Sequence, residues 1–272
     1  MKIFKKIFDF YINSSVHVGL SCFSLVQITF LMFHISSSTS IAWFAFFGTI
    51  VGYNFVKYDA LARAKKAQMR NELKAITFLS LGSFFAAGYY FFQFQKTTKL
   101  VAVVFLVITM LYTLPFFPNR RNARNWAGVK IYIVALCWVG VTLVLPILNA
   151  EIPITFDFYL ICLRRFIFIF ILILIFEIID LQFDDPHLQT VPQQIGVKRT
   201  KILGYVLLLV FCGLEIFNIN VDFSSSVLQL ILIFVIAIFL TFANEKRSKY
   251  YTSFWVESVP ILWWFLLCLF KK

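Results

Sequence analysis

Along this chain, apolar stretches of about twenty residues alternate with short polar segments. A helix rises about 1.5 Å per residue, so roughly 20 apolar residues cross a hydrocarbon layer about 30 Å thick. Nine stretches bounded by charge meet that length: residues 16–35, 40–58, 75–94, 100–117, 128–148, 158–179, 202–219, 224–243 and 251–270. A barrel strand would alternate with a period of two, and runs such as residues 166–176 do not alternate. The pattern therefore predicts an all-α polytopic protein with nine transmembrane helices.

Composition excludes the alternatives. Of the 272 residues, 61% are hydrophobic and 14% charged, and 35 are Phe. Soluble domains carry about a quarter charged residues, and one soluble core of this length has no room for so many aromatic rings. A net charge of +12 suggests nucleic acid in a soluble chain. Here the basic residues sit in short runs between apolar stretches, which is membrane topology, so no nucleic acid is expected as a partner.

Nine spans put the termini on opposite sides, and Lys and Arg decide which side is cytoplasmic. With the N-terminus inside, the inner segments hold the runs Lys2–Lys6, Lys57–Lys74, Arg120–Lys130, Lys198–Lys201 and Lys246–Lys249. The outer segments hold only Lys96, Lys99, Lys271 and Lys272. The expected organisation is one helical domain, residues 1–272, in a bacterial inner membrane. Residues 1–10 are basic and apolar, but the polar stretch that follows argues against a cleaved leader. Five scattered cysteines and three distant histidines suggest neither a disulfide framework nor a haem or zinc cage.

The densest chemistry lies at Phe176–Asp185, where a very apolar helix is expected to reach the inner face. Glu177, Asp180 and Asp184 share one helical stripe. Like charges so close favour a bound cation, a raised carboxyl pKa, or plain exposure to water. Mg2+ is the cation best matched to carboxylates that also hold a phosphate. Asp185 precedes Pro186 and reads as a turn residue. Arg164 and Arg165 lie inside the sixth stretch, where charge is costly unless paired. Asp157, seven residues before Arg164 and on nearly the same face, is the expected partner.

In these features the chain resembles the UbiA superfamily of intramembrane aromatic prenyltransferases. Asp180-Leu181-Gln182-Phe183-Asp184 looks like the family's second Asp-rich motif, DxxxD, and Thr190-Val191-Pro192-Gln193-Gln194-Ile195-Gly196 is similar to its T-x-P-x-x-x-G stretch. Leu111-Tyr112-Thr113-Leu114-Pro115, the basic loop from Arg120 to Arg124, and Lys130 match further positions. The first motif, N-D-x-x-D-x-x-x-D in the family, departs: Asn54 matches, but Phe55, Tyr58 and Ala62 stand at the three aspartates, and Asp59 is one residue out of register.

The resemblance implies nine helices around a central cavity, and Mg2+-dependent transfer of a polyprenyl group from its diphosphate to a lipophilic or aromatic acceptor, inside membrane lipid. Asp180, Asp184 and Asn54 are the expected catalytic and metal-holding residues, with Glu177 and Asp59 beside them. Lys57, Arg120, Lys130 and Tyr112 are expected to bind the diphosphate, Lys57 replacing part of the charge lost with the first motif. The alternative is a UbiA-like protein that transports or binds lipid without catalysis, or one with altered prenyl diphosphate chemistry.

Overall fold

The computed structural model describes residues 2–36, 39–64, 71–113, 128–217 and 223–270. Their regular structure is helical, with no strand among the described residues. In chain order the α-helices are α1 (Lys2–Asn13), α2 (Val16–Met32), α3 (Thr39–Ala64), α4 (Asn71–Phe92), α5 (Lys96–Thr113), α6 (Lys130–Val139), α7 (Leu145–Asn149), α8 (Phe156–Asp180), α9 (Val191–Gly213), α10 (Phe223–Phe242) and α11 (Val259–Phe270). A π segment, Gly140–Val144, joins α6 to α7, and another, Tyr251–Val256, leads towards α11.

Each of the nine apolar stretches is largely helical over its described residues. Among those residues, six helical segments are long and apolar enough to cross a membrane, and a seventh counts if α1 and α2, bent by 55°, form one span. Helix α9 falls short for a visible reason. Its first half carries Gln193, Gln194, Lys198, Arg199 and Lys201, and only the remainder is apolar. The apolar part of α10, Ser226–Phe242, is a shorter helix. The chain is a multi-pass helical membrane protein.

Helix α8 is the axis of the molecule. Fifteen of its residues are buried, from Phe158 to Ile179, because α2, α6, α9, α10 and α11 pack around it. Helices α4 and α5 lie outside and bury few residues. Close approach there depends on Gly140, since a Cβ at that position would lie 2.2 Å from the Phe105 ring.

The basic, apolar start of the chain is a helix. Lys5 and Lys6 stand on one side of α1, and Ile3, Phe4 and Ile7 are exposed on the other. The Tyr250 hydroxyl donates to Asp9 and ties α1 to the segment before α11. That bond to a carboxylate pushes the Tyr250 phenol above its ordinary pKa.

The two arginines of α8 do not pair as the sequence pattern suggests. Arg164 forms its ion pair with Glu215, donates to Gln229 Oε1 at 2.8 Å, and covers the Phe211 ring. Asp157 is the wrong partner because seven residues of helix place it about 10 Å along the axis, two turns away. Glu215 and Gln229 approach from the side. Arg165, 2% exposed, donates to Leu25 O, Thr142 Oγ1 and Thr29 Oγ1, joining α2, the π segment and α8 through neutral acceptors.

Candidate functional site

The acidic stripe occurs where α8 ends and α9 begins. Past Asp180, the backbone N–H groups of Phe183 and Asp184 return to the Asp180 carbonyl at 2.7 and 2.9 Å, which closes the helix end. Asp185 Oδ1 then accepts the His187 N–H at 2.9 Å and opens a short 3-10 turn over Pro186–Leu188. Asp185 is the turn residue that its place before Pro186 predicts.

The stretch that follows shapes the start of α9. Pro192 stands in the first turn, where a missing N–H costs nothing. Gln193 reaches back to accept the Thr190 N–H at 2.9 Å, and its amide donates to the Asp185 carbonyl at 3.2 Å. Gly196 has φ of +78° and ψ of 156° and kinks α9 one turn in, a conformation that suits only glycine.

Glu177 is 3% exposed, and its Oε2 accepts the Val191 N–H at 3.0 Å. A carboxylate at a helix N-terminus satisfies an orphan donor and meets the positive end of the helix dipole. Asp184 Oδ2 faces Lys130 Nζ at 3.6 Å. Lys130 reaches that position because Gly128, at φ +70°, donates its N–H to the Leu188 carbonyl at 3.2 Å and docks the start of α6 on the turn. Glu177, Asp180, Asp184 and Lys130 feel one another's charge. The buried Asp184 Oδ2 accepts no hydrogen bond.

Asn54 and Lys57 belong to a second polar group. The buried Asn54 amide donates to Ser14 O and Ser80 Oγ, both at 2.9 Å, while its Oδ1 has no partner. Lys57 Nζ donates to Ser15 Oγ at 3.2 Å, and its charge acts on Glu257. Tyr58, at one of the first motif's aspartate positions, donates to Asn13 O at 2.9 Å. Nearby, His17 Nε2 donates to the Phe254 carbonyl at 3.0 Å, which leaves Nδ1 to accept from the Tyr11 hydroxyl at 2.7 Å.

Among the described residues, no hydrogen bond or ion pair joins Asn54 or Lys57 to Asp180 or Asp184. Helix α6 bridges the two groups instead. It carries Lys130 at its start, and eight residues on, about 12 Å along the axis, Trp138 Nε1 donates to Tyr53 Oη at 3.1 Å. Tyr112, 8% exposed, lies near Tyr53 at the end of α5. Arg120 lies outside the described residues, as does the side chain of Asp59. Sequence reasoning missed the roles of Ser14, Ser15 and His17. The polar interruption at residues 11–17 was the available signal.

Among the described residues, no three His, Cys, Asp or Glu side chains form a group that could hold a metal by themselves. No protein-family model, curated protein or solved structure matches this chain.

Proposed function

We propose that this protein is a nine-span intramembrane prenyltransferase of the UbiA type, moving a polyprenyl group from its diphosphate to a lipophilic or aromatic acceptor. In this reading it lies in a bacterial inner membrane, with the α8–α9 turn on the cytoplasmic side. The observation that carries the reading is the convergence of Asp180, Asp184 and Lys130 at the end of the most buried apolar helix. The resemblance of the motifs at these same residues supplies the reaction class.

The residues suit Mg2+ in the mode that ion takes with phosphates, which needs one or two protein carboxylates and leaves the remaining positions to water and substrate oxygens. Asp180 and Asp184 would hold it; Asp184 Oδ2 accepts no hydrogen bond, and its one polar neighbour is Lys130 Nζ at 3.6 Å, which the ion would have to share or displace. Asn54 Oδ1 is also without a partner, but it belongs to the second group, which no hydrogen bond or ion pair joins to Asp180 or Asp184 among the described residues. An ion held by the two aspartates would supply positive charge against the diphosphate.

The chain's own residues hold the substrate. In the transfer, the allylic C–O bond breaks, the diphosphate leaves with the electron pair, and the acceptor forms the new bond and gives up a proton. Lys130 and Lys57 supply positive charge to the departing oxygens.

One observation favours a second reading, a UbiA-like protein without catalysis. Glu177 is committed to the Val191 N–H and Asp184 to Lys130, so part of the acidic stripe has a structural use. Binding of farnesyl and geranylgeranyl diphosphate to the full chain in nanodiscs, with and without Mg2+, separates the two. Catalytic machinery predicts Mg2+-dependent binding that Asp180→Asn with Asp184→Asn weakens at least about tenfold. Absence of binding to both diphosphates, in protein that melts normally, overturns the transferase in favour of the second reading.

A further inference from the structure

Away from the acidic stripe, a cleft of about 400 Å³ opens where α9 meets the end of α10. Its lining includes Lys201, Thr241, Phe242, Asn244, Lys246 and Arg247, and no carboxylate. The helices approach closely here because of Gly204, where an added Cβ would lie 2.6 Å from Leu240. The Tyr205 and Thr241 hydroxyls are 2.7 Å apart and pin the same junction.

The cations are held in place by the end of α10. Lys201 Nζ donates to the Thr241 carbonyl at 2.8 Å, and Arg247 Nε donates to the Phe242 carbonyl at 3.1 Å while its guanidinium covers the Tyr251 ring. Both bonds satisfy carbonyls that a helix end leaves without partners. They also leave capacity. An ammonium has three donors and a guanidinium five, so both of these lining residues keep donors that the helix-end bonds do not use. Among the described residues, none of Lys201, Lys246 and Arg247 forms an ion pair.

Below this cationic mouth runs an apolar strip. Phe242 lines the cleft, and Ile238, Phe234 and Leu230 continue from it at intervals of four residues along α10, all exposed. Residues four apart stack on one helix face. The surface is thus a basic site for an oxyanion joined to an apolar track about 18 Å long.

We infer that this cleft binds the phosphate diester of an anionic phospholipid, with the acyl chains lying along the strip from Phe242 to Leu230. The fork of Arg247 fits two phosphate oxygens, and Lys201 and Lys246 supply further charge. Glu245, between two lining residues, is exposed and does not itself line the cleft, so the cleft offers the cation of a zwitterionic headgroup no carboxylate and phosphatidylglycerol binds in preference to phosphatidylcholine. A free phosphate shares the oxyanion chemistry but cannot use the apolar strip.

The test is lipid retention by the purified full chain, measured by native mass spectrometry after exchange into equal amounts of phosphatidylglycerol and phosphatidylcholine. The wild type retains phosphatidylglycerol preferentially, and Lys246→Gln with Arg247→Gln lowers that retention about tenfold. Lys198→Gln with Arg199→Gln removes the same charge from exposed positions outside the cleft, and retention stays within about twofold. Lys246→Gln alone leaves both helix-end bonds intact and still lowers retention a few-fold, so the result does not depend on the double variant folding. Equal losses from the cleft and control variants overturn the site. So does retention without preference for phosphatidylglycerol. Displacement of the lipid by millimolar inorganic phosphate or diphosphate assigns the cleft to a free phosphate and overturns the lipid.

Discussion

The carboxylate of Glu177 accepts the backbone N–H of Val191 at 3.0 Å, so the last turn of α8 caps the first turn of α9. This contact connects the acidic stripe to the fold. Glu177→Ala orphans a helix-end donor and is expected to cost about 1–3 kcal/mol. Glu177→Gln keeps an acceptor oxygen and should cost less than half as much. Thermal unfolding of both variants in the same detergent checks the order.

Lys130 and Asp184 form a looser pair, at 3.6 Å with both side chains partly accessible. Lys130→Gln should therefore change stability by no more than about 1 kcal/mol. Under the transferase reading, the same change weakens Mg2+-dependent farnesyl diphosphate binding about tenfold or more. Unfolding and binding measured on one preparation separate the structural role from the substrate role.

Arg164 is buried and its partner Glu215 is only slightly accessible, so removing one leaves the other charged and alone. Arg164→Met and Glu215→Gln are each expected to cost about 3 kcal/mol, and the double variant less than the two added together. A double-mutant cycle by thermal unfolding measures that coupling.

Two glycines test two different constraints. Gly140→Ala drives a Cβ into the Phe105 ring at 2.2 Å, and overpacking of this kind costs about 1–3 kcal/mol. Phe105→Ala should recover part of it by making room for the methyl group.

Gly196→Ala meets nothing within 4 Å, yet Gly196 has φ of +78°. Its cost, about 1–3 kcal/mol, comes from the backbone alone. No truncation of a neighbour should relieve it, and unfolding of the variant with and without Ile195→Ala shows whether that holds.

The helical periodicity placed Glu177 and Asp180 on one face of α8, but the expected helical stripe stops there: α8 ends at Asp180, and Asp184 is brought back by the turn whose N–H groups return to the Asp180 carbonyl. Periodicity did not pair Asp184 with Lys130. That contact depends on Gly128 reaching the Leu188 carbonyl, a meeting of two segments sixty residues apart. Arg164 shows the same limit. Along one helix Asp157 was the nearest carboxylate in register, but Glu215 and Gln229 arrive from neighbouring helices. Nor does the sequence show that Asn54 and Lys57, expected at the metal and at the diphosphate, also hold the α1–α2 bend with Tyr58, through hydrogen bonds to Ser14, Ser15 and Asn13.

By itself the sequence determined that this protein is helical and membrane-embedded, where its apolar segments begin and end, and that Glu177 and Asp180 share a helix face. Those properties follow from hydropathy and helical period, which act over one or two turns. Only the tertiary structure decided which charge meets which, that α9 starts under Glu177, and that a basic cleft opens where Gly204 lets α9 approach α10. Such contacts join residues far apart in the chain, and packing against other helices selects them.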